Sequence, residues 1–408
     1  MNDASAAVST LPKRDSIPIQ LADRVGKLPP YVFVRINAIL AEKRKAGKDP
    51  IDLGMGNPQD PPAESIVAAL AEAAKNPKNH GYSKSVGIDE LRREVANKYR
   101  RKFGVQLDAE NEIIACIGSK EGFSHLCLAL MGPGDNCISP APYFPVHLHA
   151  ITMASGNVIT LDIKDSQKFL SNIAYVCENL TPTPKLLVIN YPHNPSSVTV
   201  DAQFYVDVVK LAKKHRFMVI SDSAYADVAF DGYVPPSFLA APGACDVGVE
   251  FTTMSKGYNM AGWRVGFCAG NPQMVKALAS IKGYYDYGIF QAVQIAALAA
   301  LRDCDADVAA QSKVYQKRRD VLCAGLKNLG WQFETPRAGM FVWARYPEKY
   351  QGNQSTLDFS LMLLDKADVA VSPGSAFGPA GEGYVRMSLV ENESRLSEAI
   401  NRIGKVLT

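Results

Sequence analysis

Short apolar runs alternate with amphipathic helical patterns through the middle of the chain, from Ala63 to about Gly270. This alternation is typical of the α/β fold class, in which helices cover the faces of a sheet. Several apolar runs contain no polar positions, which indicates strands buried on both faces and therefore a mostly parallel sheet. The predicted strands are residues 113–117, 136–139, 157–160, 185–190, 217–222, 248–253 and 265–269, and the predicted helices are residues 63–75, 88–103, 122–131 and 202–215.

The pattern changes after Gly270. A long helical pattern over residues 288–330 is expected to bridge two domains, and a smaller α+β domain follows it. The smaller domain has predicted strands at 340–344, 369–372 and 384–389 and predicted helices at 357–367 and 393–406. We therefore predict a mobile N-terminal arm over residues 1–18, a large domain over residues 51–304, and a small domain over residues 19–50 plus 305–408.

Charge and cysteine usage narrow the possible partners and compartments. The 408 residues include 44 Lys plus Arg against 41 Asp plus Glu, a formal net charge of +3, which argues against a nucleic-acid or membrane-surface partner. The eight cysteines form no Cys-x-x-Cys pair, so we expect reduced thiols in the cytoplasm. No apolar run is long enough to span a bilayer, and the N-terminus lacks the apolar core of a secretory signal.

The segment of residues 253–266 contains the most informative single side chain, Lys256. Lys256 follows a predicted apolar strand, has small and hydroxylated neighbours, and is followed eight positions later by Arg264. A poorly hydrated amine close to a cation has its charged form disfavoured, so its pKa falls and it can act as a nucleophile or base. A Schiff-base lysine is one interpretation, and a lysine that binds phosphate or simply ends a strand is an equally open alternative.

Other polar side chains follow the predicted strands, where the carboxyl ends of parallel strands usually form a site. Residues 118–122 make a turn into a helix whose free N–H groups can bind an anion. Asn194 precedes a proline, which favours an extended or turn geometry. Asp222 closes an apolar strand, where an acid is more often a helix cap, but Tyr225 three residues later favours a functional site.

Several familiar motifs are missing from the sequence. There is no phosphate-binding Gly-x-x-x-x-Gly-Lys-Ser/Thr motif, no dinucleotide Gly-x-Gly-x-x-Gly motif between an early strand and helix, and no Gly-x-Ser-x-Gly elbow. The nearest pair of histidines, His147 and His149, lacks a further Cys, His or carboxylate at ligand spacing. We therefore predict structural histidines and no metal site.

From about Leu21 to the C-terminus, the chain resembles the fold-type I, pyridoxal-phosphate-dependent aminotransferases of class I/II. It looks most like the branch that contains bacterial glutamate–pyruvate (alanine) aminotransferases and LL-diaminopimelate aminotransferases. The resemblance rests on eight ordered stretches, at residues 28–33, 54–58, 80–83, 118–122, 190–195, 221–225, 254–264 and 384–388.

The resemblance implies pyridoxal 5′-phosphate as cofactor, with Lys256 holding it covalently and moving the proton during catalysis. Asp222 would keep the pyridine nitrogen protonated, because the ring withdraws electrons only while that nitrogen is positive. Tyr225 and Asn194 would hydrogen-bond the phenolic oxygen of the ring. Tyr143 would stack on the ring.

The resemblance also implies a phosphate site and a second subunit. Arg264 would pair with the phosphate, helped by the Thr253 and Ser255 hydroxyls and the N–H groups of Ser119 and Lys120. Tyr82 would reach the phosphate of the neighbouring subunit, which implies a homodimer.

Arg386 is the expected anchor of the substrate. It lies in an apolar predicted strand, where a guanidinium needs an anion, either the substrate α-carboxylate implied by the resemblance or a structural carboxylate. Asn194, Gly56 and Tyr31 are further candidates for substrate binding. The chain departs from the family pattern after Pro195, where Ser196 and Ser197 replace the usual Thr-Gly.

The resemblance implies a ping-pong transaminase that uses an L-amino acid and a 2-oxo acid. L-Alanine with 2-oxoglutarate is the preferred pair, and LL-diaminopimelate or a broad set of apolar or aromatic amino acids is the alternative. A cysteine-S-conjugate type lyase and a cofactor-sensing DNA-binding regulator are lower alternatives. The second would need a DNA-binding region, and the extension of about 20 residues before the matching part is too short for one.

Overall fold

The computed structural model describes residues 18–28, 32–352 and 354–407. Almost all of the predicted N-terminal arm and Tyr31 therefore lie outside the described residues. Within those three ranges, no helix is both long enough and apolar enough to cross a bilayer.

Strands and helices alternate as the pattern predicts. The strands are β1 Ile51–Asp52, β2 Ile113–Ile117, β3 Asn136–Ala141, β4 Asn157–Asp162, β5 Leu186–Asn190, β6 Met218–Asp222, β7 Gly248–Thr253, β8 Val265–Gly270, β9 Phe341–Arg345, β10 Val369–Ala370, β11 Ser372–Pro373 and β12 Tyr384–Ser388. The helices are α1 Asp23–Gly26, α2 Val32–Lys45, α3 Glu64–Lys75, α4 Asp89–Phe103, α5 Ser119–Leu130, α6 Pro145–Met153, α7 Ser166–Asn179, α8 Ala202–His215, α9 Ala244–Val247, α10 Pro272–Tyr285, α11 Gln291–Asp303, α12 Asp305–Asn328, α13 Thr356–Ala367 and α14 Glu393–Leu407.

The predicted mostly parallel sheet is confirmed. Seven strands follow the order β2-β8-β7-β6-β5-β3-β4, and only β8 runs antiparallel to its neighbours. Residues 254–264 join β7 to β8, which is too short for the crossover that a parallel neighbour requires. This connection therefore stays at the carboxyl end of β7, and it contains Lys256 and Arg264.

Helix boundaries differ from the expectation at two points. The helical pattern over residues 288–330 is two helices, α11 and α12, because the chain turns out of helical geometry at Cys304, with φ −110° and ψ 24°. Helix α5 begins at Ser119 rather than Gly122, because Gly118 turns the chain at φ +77° directly after β2. The earlier start places the amides of Ser119 and Lys120 in the first turn.

A second, smaller sheet lies beside the large one. Its strands follow the order β11-β12-β9 and are antiparallel, while β1 pairs with β10. The Ser388 amide of β12 donates to the Leu53 carbonyl just after β1, at 2.8 Å. The turn at Gly54 and Gly56 is therefore held next to the strand that contains Arg386.

Candidate active site

A cavity of about 1260 Å³ opens at the carboxyl ends of the parallel strands. Registers of neighbouring strands place Asn190 of β5 beside Asp222 of β6, and Asp222 beside Phe251 of β7. Open α/β sheets bind ligands at this edge. The residues that line the cavity include Gly56, Ser119, Lys120, Tyr143, Asn194, Asp222, Tyr225, Thr253, Ser255, Lys256, Arg264 and Arg386.

The Lys256 amine points into this cavity, where its Nζ donates to the Gly56 carbonyl at 2.6 Å. Burial, together with the positive charges of Arg386 and Arg264, lowers the pKa of Lys256 to about 8. Near neutral pH the amine can therefore lose its proton far more readily than a solvated lysine, whose pKa is about 10.4. The sequence predicts a lysine whose pKa is lowered by poor hydration and a nearby cation, and the burial of Lys256 beside two arginines is consistent with that prediction.

Packing beneath the site fixes the segment around Lys256. A Cβ atom at Gly257 would lie 2.6 Å from the Asp227 Cβ atom, so only glycine lets the chain pass this close. Lys98 of α4 donates from Nζ to Asp227 Oδ2 at 2.8 Å and to the Tyr258 hydroxyl at 3.1 Å. The loop after Asp222 and the segment after β7 are thereby joined through one partly buried ammonium.

The pKa of Lys256 gives a direct test on the cofactor-free protein. We expect acylation of Lys256 to increase with pH through a midpoint near 8, because only the neutral amine is nucleophilic. Competitive labelling with acetic anhydride and mass spectrometry measures this midpoint, with the exposed Lys210 as an internal reference. A midpoint for Lys256 as high as that for Lys210 would contradict the depressed basicity.

Asp222 is a buried acid at the end of β6, with 8% of its surface exposed. Its Oδ2 lies 2.8 Å from Nε2 of His147 on α6, and its Oδ1 accepts the Ala224 amide at 3.2 Å. The Asp222 carbonyl accepts from the Asn190 side-chain amide at 2.7 Å. Asp222 is thus held by three neighbours and has a fixed orientation.

His147 is a residue that sequence reasoning missed. It was expected to be structural, yet it contacts Asp222 and lines the cavity. A second buried histidine, His193, lies close by, and burial followed by the nearby His147 lowers the pKa of His193 to about 3. His193 is therefore neutral, and its Nδ1 lies 2.6 Å from Ser196 Oγ. No local spacing signals this arrangement, because 75 residues separate His147 from Asp222.

Asn194 connects the tyrosine and the arginine of the site. Its side-chain NH₂ donates to the Tyr225 hydroxyl at 3.3 Å, and its Oδ1 accepts from Arg386 Nη1 at 2.8 Å. Burial raises the pKa of Tyr225, and the Asp222 charge adds to this, while Arg386 opposes it. Tyr225 is consequently a protonated hydroxyl near neutral pH and can donate a hydrogen bond into the cavity.

Arg386 is buried on β12. Its Nη2 donates to the Gly54 carbonyl at 2.7 Å and to Ser372 Oγ at 3.2 Å. The guanidinium carbon lies 4.1 Å from the ring centroid of Phe341 and 4.6 Å from that of Phe377. The oxygens that accept these hydrogen bonds are neutral, so a carboxylate in the cavity would be a stronger partner for the guanidinium.

A cation, a helix N-terminus and two hydroxyls converge at another part of the cavity. A Cβ atom at Gly118 would collide with Arg264 Nη2, so the guanidinium packs directly on the turn before α5. First-turn N–H groups of α5 have no acceptor within the helix. Thr253 Oγ1 lies 2.9 Å from Ser255 Oγ on the same side. Such a combination suits an anion such as a phosphate.

The remaining predicted site residues have different positions. Tyr143 lines the cavity, and its amide donates to the Phe377 carbonyl at 2.9 Å. Gly56 also lines the cavity, and a Cβ atom there would lie 2.6 Å from the Phe341 ring. Tyr82 is outside this cavity, with 89% of its surface exposed and its ring 4.7 Å from that of Tyr287. Tyr31 lies outside the described residues.

The seven-stranded sheet, with its cavity at the carboxyl ends of the parallel strands, has the fold of the fold-type I aminotransferases. The chain belongs to the family of aminotransferases class I and II, whose model matches residues 48–403. Solved aspartate aminotransferase from Thermus thermophilus with maleate superposes with a TM-score of 0.87 at 28% identity, covering 95% of this chain and 100% of that one.

Curated relatives agree on the class. The chain is 42% identical over 392 residues to glutamate-pyruvate aminotransferase AlaC of Escherichia coli (strain K12), covering 95% of this chain and 94% of that protein. It is 41% identical over 389 residues to LL-diaminopimelate aminotransferase of Moorella thermoacetica, covering 95% of this chain and 99% of that protein. The resemblance to both branches is confirmed, and the family and fold depend on pyridoxal phosphate in general.

Proposed function

We propose that this aminotransferase binds pyridoxal 5′-phosphate and moves an amino group between an L-amino acid and a 2-oxo acid by a ping-pong mechanism, with L-alanine and 2-oxoglutarate as the preferred pair. The observation that carries the proposal is the Lys256 amine, whose pKa is about 8, in one cavity with Asp222, Arg264 and Arg386. The preferred pair is supported by the similarity to AlaC.

The residues of the cavity fit the cofactor. The close packing of Arg264 on Gly118, beside the first turn of α5, makes a phosphate cradle completed by Thr253, Ser255, Ser119 and Lys120. Asp222, which His147 orients, would hold a proton on the ring nitrogen. Tyr225 and Asn194 would donate to the ring oxygen, and Tyr143 would pack on the ring face. When bound, pyridoxal phosphate supplies an electron sink for the charge left at the substrate α-carbon.

Lys256 would have two functions in this site. As a neutral amine it would attach the cofactor, and after the substrate amine displaces it, it would carry the proton away from the α-carbon and return it. Its depressed pKa suits the second task, because a base works best when its pKa is near the working pH.

Arg386 would hold the substrate α-carboxylate in a bidentate pair. Arg386 is already oriented by Asn194 at 2.8 Å and by the Gly54 carbonyl at 2.7 Å. A charged carboxylate would replace the weaker contact with the Gly54 carbonyl. Gly56, Asn194 and Tyr31 would form other parts of the substrate site.

LL-diaminopimelate is the second candidate substrate, because the Moorella thermoacetica relative bears that activity in its name. The test adds each standard amino acid, then diaminopimelate, to the holoenzyme without an oxo acid and follows the cofactor absorbance. We expect the fastest conversion with L-alanine or L-glutamate. Release of pyruvate and ammonia without any acceptor would instead indicate a lyase, and absence of conversion with every amino acid would refute the proposal.

We also propose a homodimer, because Tyr82 lies on an exposed aromatic surface. The ring of Tyr287 lies against that of Tyr82 and is also exposed, as are Tyr284 and Tyr285 close by in the chain: the exposed fractions are 94% for Tyr284, 66% for Tyr285 and 63% for Tyr287. Large apolar patches of this kind usually mark an interface. A second copy would cover them and bring its Tyr82 to the phosphate cradle.

Mixed dimers test whether Tyr82 acts on the neighbouring subunit. We expect Tyr82→Ala and Lys256→Ala each to be weak or inactive alone, and their co-expressed mixture to regain activity. A mixed dimer would have one site with both side chains intact. The control is a mixture of Lys256→Ala with Asp222→Ala. Both residues line the cavity of one chain, so each site of that mixed dimer lacks one of them and no activity should return. The mixed dimers are purified and their composition is verified by mass spectrometry. If a verified mixed dimer of Tyr82→Ala and Lys256→Ala regains no activity, Tyr82 does not act on the neighbouring subunit.

We propose the domain division predicted from the sequence, with residues 51–304 large and residues 19–50 plus 305–408 small. One hydrophobic cluster lies mainly within residues 315–407, and two others lie within residues 66–304. We propose a cytoplasmic location, which is supported by eight free cysteines, seven of them buried.

A further inference from the structure

Ser197 has a backbone conformation that favours glycine. Its φ is +58°, in the left-handed region, and only 5% of its surface is exposed. A side chain costs free energy in this region, and glycine would avoid that cost. The question is therefore what the serine side chain provides at this position. Strained residues of this kind often lie at functional sites.

The Ser197 hydroxyl joins two parts of the molecule. It donates to the Phe341 carbonyl at 2.8 Å, and this hydrogen bond is buried. Ser197 belongs to the loop after β5, in the large sheet, whereas Phe341 is the first residue of β9, in the smaller sheet. Gly339 lets the two segments approach, since a Cβ atom there would lie 3.1 Å from Ser197 Oγ.

The segments at both ends of this hydrogen bond contact Arg386. Phe341 packs on the Arg386 guanidinium at 4.1 Å and meets the Tyr225 ring edge-on at 5.4 Å. Asn194, three residues before Ser197, accepts from Arg386 Nη1 at 2.8 Å. The loop after β5 therefore contacts the smaller sheet at two points, at Arg386 through Asn194 and at Phe341 through Ser197.

We propose that Ser197 is a positioning residue for the substrate carboxylate: its hydroxyl ties the Asn194 loop to β9, so that Asn194, Phe341 and Arg386 keep one relative arrangement. This inference rests on the proposed function, in which Arg386 binds that carboxylate. Ser197 is not among the described residues that line the cavity. Ser197 acts indirectly, because its hydrogen bond fixes the distance between Asn194 and the smaller sheet.

Two substitutions separate the hydroxyl from the backbone strain. Ser197→Ala removes the hydrogen bond and keeps the strained conformation, whereas Ser197→Gly removes the bond and relieves the strain. We expect both variants to raise the KM for the amino acid by roughly fivefold to tenfold, as expected for one lost hydrogen bond. We expect kcat and the cofactor absorbance to stay close to wild type, and Ser197→Gly to be the more thermostable of the two.

A ligand that binds but has no α-proton to transfer provides a second readout. 2-Methylalanine lacks an α-proton, so its dissociation constant, measured by titration calorimetry on the holoenzyme, should rise by the same factor as KM. The matched control is Ser312→Ala. Ser312 Oγ also donates to a backbone carbonyl of another segment, that of Ala229 at 2.6 Å, and Ser312 is not among the described residues that line the cavity. We expect that variant to bind 2-methylalanine like wild type.

The outcomes are distinguishable. If both Ser197 variants lose thermal stability but keep the wild-type KM and dissociation constant, the hydroxyl is only structural and the inference is wrong. If Ser197→Gly restores the wild-type KM while Ser197→Ala does not, strain rather than the hydroxyl matters, which also overturns it. If the wild-type protein neither binds the cofactor nor converts any amino acid, the proposed function itself fails.

Discussion

Lys256→Ala should lose transamination by more than about a thousandfold in kcat, because it removes the group proposed to transfer the proton at the α-carbon. It should also lose covalent attachment of the cofactor. Among the described residues, Lys120 is the one other lysine that lines the cavity. The measurements are steady-state kinetics and borohydride reduction of the holoenzyme, followed by peptide mass spectrometry. In wild type the reduced cofactor should be found on Lys256.

Two controls make this result interpretable. Lys43 forms a partly buried ion pair with Asp368 at 2.7 Å, and neither residue lines the cavity, so Lys43→Ala should reduce stability without loss of covalent attachment. Lys256→Arg keeps the positive charge but cannot form the covalent bond, so it should be as inactive as Lys256→Ala. Cofactor found on Lys120 after reduction, or turnover retained by Lys256→Ala, would exclude Lys256 as the attachment point.

The large sheet could be predicted because several of its strands are nearly uninterrupted apolar runs. β2, β5, β6 and β7 lie within one residue of the expected bounds at each end, since strands buried on both faces contain few polar positions. Helix α6 was missed because both the sheet and the cavity contact it, which leaves no clear polar face. His147 on that helix was expected to be structural because no further metal ligand lies at suitable spacing, and only the fold shows its contact with Asp222.

Some residues of the candidate site could be predicted from the sequence and others could not. Asp222 ends a strand, and Lys256 and Asn194 lie within about four residues after one, so the sequence predicts all three at one edge of the sheet. Arg386 depended on the resemblance, because its neighbours come from the Gly54 turn and the Asn194 loop, 332 and 192 residues away. Ser197 was seen only as a departure from the family pattern. Neither its backbone angle nor its contact with Phe341 can be read from local sequence.

Arg386→Ala should weaken substrate binding and leave the cofactor in place. We expect kcat/KM to fall by roughly 30-fold to several thousandfold, the range for removing one partner of a buried charge pair. The cofactor absorbance should persist, because the phosphate cradle and Asp222 are untouched. Stopped-flow half-reactions with L-alanine measure the affinity, and Arg386→Lys should be intermediate because an ammonium cannot form the bidentate pair.

The same variant should change the acid–base behaviour of Lys256. After burial, the positive charge of Arg386 is the largest cause that lowers the pKa of Lys256 to about 8. Removing that charge favours the protonated amine, so the labelling midpoint of Lys256 in cofactor-free Arg386→Ala should lie above the wild-type midpoint. Arg264→Ala should raise it less, because its influence is smaller. An unchanged midpoint in Arg386→Ala, together with unchanged substrate affinity, would mean that Arg386 supports the fold of β12 rather than the chemistry of the cavity.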